Sequence, residues 1–395
     1  MVVRSGFWHN LLHISFIFLL LPQCCFCGSD LDTLLILKKA MIGPQGSGKD
    51  DWERSSHNYC SFSGVSCDHQ SRVVALNVSS LHLFGSVPAE IGLLNKLVNL
   101  TLADNSLGGS LPREIANLTS LRLLNISNHL FSGRFPGEMT ELEVLDAYIN
   151  DFTGQLPVDQ LVNLKKLKHL DLGGNQFTGE IPGNYSMIQS LEYLGLNGIG
   201  LTGKFPSSLA QLKNLKELHV VYNKFEGGLP ELGTMESLQV LDMVNCNLNG
   251  TIPISLGFLK NLRALDLSNN ELSGEIPESF SKLKNLILLN LCENNLYGQI
   301  TPELSGMVSL TALDLSYNKF TGEIPESFSE LKNLSLLTLS SNNLYGQIPN
   351  FIGDLPHLEA LLVSENNFTF ALPESLGRNG RFKDLDVSGN HLLPA

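Results

Sequence analysis

Basic side chains and long apolar stretches are both scarce in this sequence. Only 26 of its 395 residues are Lys or Arg, against 39 Asp or Glu, and the formal net charge is −13. Nucleic acids and other polyanions are bound through clustered basic side chains, so this balance argues against such a partner. After residue 28, no run approaches the roughly 20 apolar residues of a membrane-spanning helix. We therefore expect the mature chain, as written, to be soluble.

Catalytic and metal-binding motifs are also missing. The 10 His are scattered and, beyond residue 28, form neither an H-x-x-x-H pair nor a cluster with Cys, so we expect no metal site. The segment GPQGSGK at 43–49 resembles a phosphate-binding loop, but Asp50 stands where Ser or Thr should hold magnesium. Asp50 and Asp51 suit a solvated loop better than acid–base catalysis. The sequence predicts neither enzyme activity nor a cofactor.

Residues 1–28 have the features of a secretory signal peptide. Arg4 gives a weakly positive start, Leu11 to Leu21 forms an apolar run, and Cys27-Gly28 offers small residues for cleavage. The apolar run is too short for a comfortable membrane span, although an uncleaved anchor is the alternative. The sequence therefore predicts export of a chain that begins near residue 29.

One template, LxxLxLxxNxLxGxIP, recurs through the rest of the chain. Its LxLxx part alternates with period two, which predicts a short strand whose leucines point into a core. The Ile-Pro dipeptide then turns the chain onto the opposite face, where a short helical stretch closes the coil. Stacked coils would form a curved solenoid with a parallel sheet on its concave side. The first apolar positions of the fourteen repeats are Val73, Leu97, Leu121, Leu142, Leu167, Leu191, Leu215, Leu238, Leu262, Leu286, Leu310, Leu334, Leu358 and Phe382.

The Asn of the template is expected to link neighbouring coils. Its amide follows the strand and can bond backbone groups that would each cost ~1–3 kcal/mol if left buried and unpaired. Leu81, His129, Ile199 and Cys246 replace this Asn, and we expect slack bonding at those coils. The template Asn residues are Asn105, Asn150, Asn175, Asn223, Asn270, Asn294, Asn318, Asn342, Asn366 and Asn390.

Four cysteines lie beyond the signal peptide. Cys60 and Cys67, with six residues between them in a polar loop, predict a disulfide in an oxidising compartment. Cys246 and Cys292 lie two repeats apart, or ~10 Å at the usual strand spacing, which exceeds the reach of a disulfide. We expect both to be free thiols.

The two ends of the repeat array differ. The stretch 29–72 begins with a predicted amphipathic helix at Leu31–Ile42, which together with Trp52 and the cysteine loop would cap the first coil. The repeats fill 73–395, and the sequence stops inside the last one without a cap. From this we expect a shortened version of something longer.

Two longer segments nearly duplicate each other. Gly274–Ile300 and Gly322–Ile348 differ at five positions and are offset by 48 residues, which is two repeats. Three of the differing positions are expected to point out of the predicted concave strand: Asn290/Thr338, Cys292/Ser340 and Glu293/Ser341. Either drift at exposed positions or diversification of a binding surface would explain them.

The cap and repeats together resemble the extracellular regions of plant leucine-rich repeat receptor-like kinases. The motifs are SDLDTLLILKK at 29–39, DW at 51–52 and YCSFSGVSCD at 59–68, followed by the LxGxIP repeats. LEYLGLNG at 191–198 and ESLGRNG at 374–380 are most similar to the CLAVATA-type receptor kinases. The resemblance implies an α/β solenoid, a right-handed superhelix of plant-specific 24-residue repeats with a concave parallel sheet and an N-terminal disulfide cap.

The same resemblance implies a function and a location. Its members bind a secreted CLE-type peptide on the concave face and signal through a kinase, in partnership with co-receptors or other receptors at the plasma membrane. Peptide-binding relatives carry an Arg-x-Arg pair on a late strand, and this sequence has none, since Arg378 and Arg381 lie outside a strand. This chain has no kinase region, so as written it would be extracellular.

Candidate contact residues are those that alternate with the core leucines from the fourth repeat onward. Aromatic side chains interleaved with carboxylates suit an extended peptide that carries basic residues and prolines, although an ordinary solvated sheet face is the alternative. The predicted peptide-binding residues are Tyr148, Asp171, Tyr193, Asn197, His219, Val221, Tyr222, Asp242, Val244, Asn245 and Asp266.

Eight N-x-S/T sequons predict a glycosylated surface. Three of them fall on predicted concave positions of the first three repeats, so their glycans would cover that part of the inner face. We therefore expect the ligand strip to begin at the fourth repeat. The sequon residues are Asn77, Asn99, Asn117, Asn125, Asn184, Asn249, Asn333 and Asn367.

Two other functions remain open from the sequence. A soluble repeat protein that inhibits microbial cell-wall enzymes would share the repeats, but such inhibitors usually carry a second, C-terminal cysteine pair, which is missing here. A non-signalling decoy or remnant of a receptor is the other alternative.

Overall fold

The computed structural model describes residues 29–42, 51–53, 58–136 and 139–393. The predicted signal peptide and the GPQGSGK segment lie outside these residues. Within the described ranges, no helix is both long enough and apolar enough to cross a membrane.

A 15-stranded sheet runs through the whole array. Its first strand pairs antiparallel with the second, and every later pair is parallel and in register, so that each core leucine lies beside its equivalent in the next coil. This confirms one strand for each predicted repeat. The strands are Val65–Cys67, Val73–Asn77, Asn99–Thr101, Leu123–Asn125, Val144–Asp146, His169–Asp171, Tyr193–Gly195, Glu217–His219, Val240–Asp242, Ala264–Asp266, Leu288–Asn290, Ala312–Asp314, Leu336–Thr338, Ala360–Leu362 and Asp384–Asp386.

The core is one continuous column of apolar side chains between the faces of the solenoid. In the coil of Tyr193, for example, Leu191, Leu194 and Leu196 are fully buried, as the period-two pattern predicts. A fully buried leucine contributes about 1.5–3 kcal/mol relative to exposure, so each coil gains stability only when its neighbours cover it.

Two further parallel sheets lie on the side of the solenoid, and the sequence did not predict them. They form where the chain runs through the LxG part of the template, just before Ile-Pro. The four-stranded sheet contains Gly108–Ser110, Leu130–Gly133, Asp151–Gln155 and Gln176–Thr178. The six-stranded sheet, called the lateral sheet below, contains Asn249–Thr251, Glu271–Gly274, Asn295–Gln299, Lys319–Gly322, Asn343–Gly346 and Asn367–Phe368.

Short helices close most coils on the convex side, as predicted. The residue before almost all of them is the template Pro, which ends the preceding strand and has extended backbone angles. The 3₁₀ helices are Tyr59–Ser61, Ala89–Leu93, Arg113–Asn117, Gly183–Met187, Ser207–Gln211, Ile254–Phe258, Glu278–Lys282, Pro302–Gly306, Glu326–Glu330 and Asn350–Asp354, and the α-helices are Asp30–Ile42 and Val158–Leu161.

The template Asn residues form the expected ladder between coils. Asn270 is typical: its Nδ2 donates to the carbonyl oxygen of Met243 in the preceding coil at 2.9 Å. Its Oδ1 accepts from the backbone N–H groups of Cys246 and Leu248, both at 3.0 Å. Each amide therefore forms hydrogen bonds with backbone groups of two coils. These groups have no partner within a strand or a helix.

The expectation of slack bonding is wrong at two of the four coils that lack this Asn. The ring of His129 replaces the amide, because Nδ1 accepts from the N–H of Leu107 at 3.2 Å and Nε2 lies 3.0 Å from the carbonyl oxygen of Leu102. The thiol of Cys246 lies 3.0 Å from the carbonyl oxygen of Val220. Cys246 and Cys292 are free thiols, as predicted.

The cap is joined to the first coil by an ion pair whose carboxylate is buried. Asp30, at the start of the first helix, accepts from both Nε and Nη2 of Arg72 at 3.0 Å and from the N–H of Val73 at 2.8 Å. The Cys60–Cys67 disulfide is present as predicted. The structure thus gives the array a covered N-terminal end.

Candidate functional site

The concave sheet presents its outward side chains in rows that cross the coils. Because the strands are in register, Asp146, Asp171, Gly195, His219 and Asp242 form one row, with each residue beside its equivalent in the next coil. The row two positions earlier holds His169, Tyr193 and Glu217. We call these residues together the concave patch: Asp146, His169, Asp171, Tyr193, Gly195, Glu217, His219 and Asp242.

Tyr193 lies at the centre of the patch between two histidines. Its ring stacks on His169, with centroids 4.2 Å apart and planes at 12°, and lies 5.4 Å from the ring of His219. The Tyr193 hydroxyl donates to Asp171 Oδ2 at 3.1 Å. The aromatic surface is therefore fixed on both sides before any ligand arrives, which limits the ordering cost of binding.

The two histidines have opposite electrostatic environments. His219 lies 3.5 Å from a carboxylate oxygen of Asp242 and 3.3 Å from one of Glu217. Hydrogen bonding to Asp242, followed by that to Glu217, raises the pKa of His219 and favours its charged form. Burial lowers the pKa of His169, which favours the neutral ring against Tyr193.

Carboxylates dominate the remaining charge of the patch. Burial raises the pKa of Asp146, and the neighbouring Asp171 adds to the effect. By contrast, the adjacent row is balanced by ion pairs: Glu143 bonds Lys168 at 2.9 Å, and Glu192 bonds Lys216 at 2.5 Å. The unbalanced negative charge on this part of the concave face therefore comes from the carboxylates of the patch. This charge favours a cationic group on the ligand.

Four glycines are clustered beside Tyr193. Gly195 stands between Asp171 and His219 in the row, and Gly173, Gly174 and Gly198 follow the neighbouring strands. Neighbouring groups fill the space beside three of these glycines: the Asp171 carboxyl group beside Gly195, the Tyr148 ring beside Gly173, where a β carbon would lie 3.1 Å from it, and the Ile149 side chain beside Gly174. Of the four, only Gly198 has open space at its β-carbon position.

The predicted contact residues divide into two groups in the structure. Asp171, Tyr193, His219 and Asp242 come together in the patch, and Asp266 extends their row by one coil. The others, on the turns that follow the strands, are Tyr148, Asn197, Val221, Tyr222, Val244 and Asn245.

One residue of the second group is partly engaged within the fold. The side-chain oxygen of Asn197 accepts from the N–H of Val221 at 2.8 Å, so only its amide nitrogen is left for a ligand. Tyr222 is 63% exposed. The turn residues therefore border the patch, while the strand residues form its floor.

Four patch residues were missed from the sequence. Asp146, His169 and Glu217 also alternate with core leucines, so the same rule that selected Tyr193 could have found them. Gly195 has no side chain to attract attention. It could have been found only by aligning the repeats, because the alignment shows it as an outward position without a side chain between Asp171 and His219.

All eight sequon residues lie at the surface or close to it. Asn77, Asn99 and Asn125 lie on the first concave strands, as predicted, and Asn125 is half-buried. Asn333 differs from the rest because its Nδ2 donates to the carbonyl oxygen of Val308 at 2.9 Å, a bond that a glycan would replace. Within the described part of the chain, no group of His, Cys, Asp and Glu is arranged to hold a metal ion.

Family models match most of the repeat region and the cap. One described as a leucine-rich repeat region matches residues 142–286, and one described as leucine rich repeat matches residues 260–320 and 293–344. A model of the leucine rich repeat N-terminal domain matches residues 27–68. Both the cap and the repeats are thus of known types.

Similar proteins come from plants and bacteria. The LRR receptor-like serine/threonine-protein kinase GSO1 of Arabidopsis thaliana is 38% identical over 99 residues, which are 21% of this chain and 8% of that protein. The solved plant peptide hormone receptor RGFR1, in complex with RGF2, is 34% identical, with a TM-score of 0.74 over 78% of this chain and 50% of the receptor.

A third similar protein matches over most of both chains. The LRR protein LIC12759 of Leptospira interrogans is 32% identical, with a TM-score of 0.70 over 82% of this chain and 81% of that one. The chain spans 8% of GSO1 and 50% of the RGFR1 chain, but 81% of this bacterial one. It belongs to the leucine-rich repeat proteins, with an N-terminal leucine-rich repeat cap and close similarity to the ectodomains of plant receptor kinases.

Proposed function

We propose that this chain is the extracellular, ligand-binding region of a plant receptor and that it binds an extended secreted peptide across the concave patch. The observation that carries the proposal is the Tyr193 ring, which stacks on His169, lies beside the tilted ring of His219 and is surrounded by unbalanced carboxylates. Aromatic anchors held in place and surrounded by one sign of charge are typical of binding hot spots.

The shape and charge of the patch define the peptide. The rings of His169, Tyr193 and His219 together offer a partly apolar surface on which a proline ring can pack. Asp171, one coil before Gly195, and Asp242, two coils after it, attract a Lys or Arg side chain of the peptide. An extended peptide with basic residues and prolines therefore fits better than an acidic one.

Within this class we propose a CLE-type peptide, and signalling through a kinase of the complete receptor, with a co-receptor as partner. The similarity to receptor kinases supports the kinase and the membrane location. The complete transcript, read through the codon for Ala395, tests this part. Further repeats, a membrane helix and a kinase are expected, whereas a stop codon there would support a soluble decoy.

Isothermal titration calorimetry tests the peptide itself. The glycosylated chain is titrated with a CLE-type peptide and with the same peptide carrying Glu in place of its basic residues. We expect the first to bind and the second to bind at least tenfold more weakly. Tyr193→Ala should weaken binding about tenfold or more, which corresponds to a hot-spot loss of about 1.4 kcal/mol or more. Tyr317→Ala, an exposed tyrosine outside the patch, is the matched control.

A further inference from the structure

We propose that Ile149, together with Tyr148, holds one bulky apolar side chain of the bound peptide at the edge of the concave patch. This inference rests on the proposed function, because it concerns the same ligand, and it adds one requirement to it. Besides basic residues and prolines, the peptide must carry a branched aliphatic or aromatic residue that reaches the turn after strand Val144–Asp146.

The backbone of Ile149 has a conformation that its own side chain disfavours. Its φ is 51°, in the left-handed region, and it is the one β-branched residue with a positive φ in the part of the chain that the structure describes. Contact between a branched side chain and the backbone makes this conformation unfavourable. Asn128, Gly174 and Asn269 hold the same turn position in other coils, and Asn and Gly tolerate it well. Folding alone therefore does not explain an isoleucine here.

Burial does not offset this disadvantage, because both apolar side chains of the turn are accessible. Ile149 is 45% exposed and Tyr148 is 37% exposed. Each lies over a glycine of the next coil. A β carbon on Gly173 would lie 3.1 Å from the Tyr148 ring, and one on Gly174 would lie 2.8 Å from Cγ1 of the isoleucine. The two side chains thus form an apolar ledge whose exposed surface an apolar group of the ligand can cover.

The ledge is continuous with the concave patch. The Tyr148 N–H donates to Asp146 Oδ1 at 3.1 Å, so a carboxylate of the patch fixes the turn that carries both side chains. The next carboxylate of that row, Asp171, accepts the Tyr193 hydroxyl at 3.1 Å. A peptide that covers Tyr193 and places a basic residue by Asp171 therefore has the ledge one coil away.

Space for the side chain of the ligand lies on the far side of Ile149. The N–H groups of Ile149, Gly174 and Gly198 each donate to a carbonyl oxygen in the turn of the next coil, at 2.9, 2.7 and 2.7 Å, so these turns are aligned coil by coil. Apart from its chain neighbours, no atom lies within 4 Å of a β carbon built on Gly198. The next side chain at this turn position is that of Tyr222, which is 63% exposed. The open position at Gly198 thus lies between two apolar side chains.

This edge is uncharged, in contrast to the floor of the patch. Both turn positions lack a charged residue in the four coils concerned: Tyr148 and Ile149, Gly173 and Gly174, Asn197 and Gly198, and Val221 and Tyr222. The carboxylates of the strands attract the basic residues of the peptide, whereas a charged side chain on this edge would lose water without gaining a charged partner. The edge therefore selects an apolar residue, and the floor selects basic ones.

Isothermal titration calorimetry with a CLE-type peptide, together with thermal melting, tests Ile149 in the full secreted chain. We expect Ile149→Asn to raise the melting temperature by about 1–3 °C, because Asn tolerates the positive φ. The same variant should weaken peptide binding about fivefold or more, because the apolar contact is lost. A residue with a purely structural role would not give this opposite pair of effects.

Tyr317→Asn is the matched control. Tyr317 holds the same turn position in a coil beyond the patch, with a φ of 52° and a side chain that is 56% exposed. The substitution therefore makes the same kind of backbone change without touching the ledge. Its peptide affinity should equal that of the parent.

A double-mutant cycle identifies the peptide residue that meets the ledge. Each apolar residue of the peptide is replaced in turn by Ala and titrated against the parent, Ile149→Ala and Tyr317→Ala. For one apolar position, the loss of affinity from the double change should be at least threefold smaller than the product of the two single losses. Basic residues of the peptide should show no such coupling to Ile149.

The inference is overturned if Ile149→Asn binds the peptide as the parent does, or if no apolar position of the peptide couples to Ile149. It is also overturned if Ile149→Asn loses both affinity and melting temperature, since the isoleucine would then serve the fold. A loss of affinity in Tyr193→Ala alongside any of these results would leave the proposed function standing. A parent chain that does not bind the peptide would contradict both.

Discussion

A β carbon placed on Gly195 would lie 2.7 Å from the carboxyl group of Asp171, its neighbour in the preceding coil. The carboxylate of Asp171 occupies the space that a side chain at 195 would fill, and from there it accepts the Tyr193 hydroxyl. The carboxylate of Asp171 therefore orients the ring of Tyr193. It can take this position only because residue 195 has no side chain.

Replacing this glycine tests that dependence. Gly195→Ala should displace the Asp171 carboxylate and weaken peptide binding about tenfold, while the free energy of unfolding changes by less than ~1 kcal/mol, because a side-chain end can move. Calorimetry and thermal melting measure the two effects. Gly108→Ala, whose β carbon would lie 3.7 Å from its nearest neighbour, is the control and should change neither.

The hydroxyl and the ring of Tyr193 make separable contributions. Tyr193→Phe keeps the stack on His169 but loses the hydrogen bond to Asp171, so we expect peptide affinity to fall about threefold. Tyr193→Ala removes both, and the loss should reach tenfold or more. Equal losses in the two variants, measured by titration with the same peptide, would show that the stack itself does not contribute.

His129 should make the solenoid sensitive to acid. Burial lowers its pKa from the ordinary 6.5 to about 4, and Nδ1 accepts a backbone hydrogen bond that only the unprotonated nitrogen can accept. The unfolded chain therefore binds the proton first. The stability that this neutral ring contributes is complete above pH 6.5 and is lost as the pH falls toward 4, by up to about 3 kcal/mol.

The variant His129→Asn isolates this effect, since the template amide makes the same bonds without titrating. We expect it to melt close to the parent at pH 7 and well above it at pH 4.5. Parallel loss of melting temperature in both proteins over this range would mean that His129 is not the group responsible.

The Asn ladder should matter most in the middle of the array. Asn270→Leu leaves the N–H groups of Cys246 and Leu248 without their acceptor, and we expect a loss of about 3 kcal/mol or more. Asn390→Leu removes similar bonds in the last coil, where the side chain is only half-buried and water can replace it. Denaturant unfolding should therefore show a clearly smaller loss for Asn390→Leu, and equal losses would contradict this account.

The ion pair between cap and coil should be worth far more than an exposed one. Asp30 is buried and bonds Arg72 and the N–H of Val73, so Asp30→Ala should cost about 3 kcal/mol. The exposed pair of Arg113 and Glu114 is the comparison, and Arg113→Ala should cost less than about 0.5 kcal/mol. A small loss for Asp30→Ala in denaturant unfolding would mean that the cap is held by its apolar contacts alone.

The periodic pattern predicted the parts of the fold that depend on repetition. The concave strands, the core leucines, the Asn ladder and the Cys60–Cys67 disulfide all follow from spacing and side-chain chemistry. The lateral sheet did not, because its strands are only two to five residues long, and all but Asn367–Phe368 contain glycine, which has weak strand propensity. Pairing with the neighbouring coil, rather than the local sequence, makes these segments strands.

The candidate site was predictable only in part. The alternation rule found Tyr193, His219 and Asp242, but it treats every outward position alike. It cannot show that His169 stacks on Tyr193 or that Gly195 makes room for a carboxylate, because these relationships join different coils. The role of His129 in the Asn ladder could not be predicted either. Its ring nitrogens take the places of the amide atoms, and this depends on geometry rather than on residue type.

Photo-crosslinking of a bound peptide tests the central claim most directly. A CLE-type peptide with a photoreactive group at successive positions is irradiated on the glycosylated and the enzymatically deglycosylated chain, and the linked residues are identified by mass spectrometry. The account predicts links to the coils from Val144 to Asp266, centred on Tyr193, in both samples. Links confined to the first three coils, around Asn77, Asn99 and Asn125, or to the convex side would contradict it.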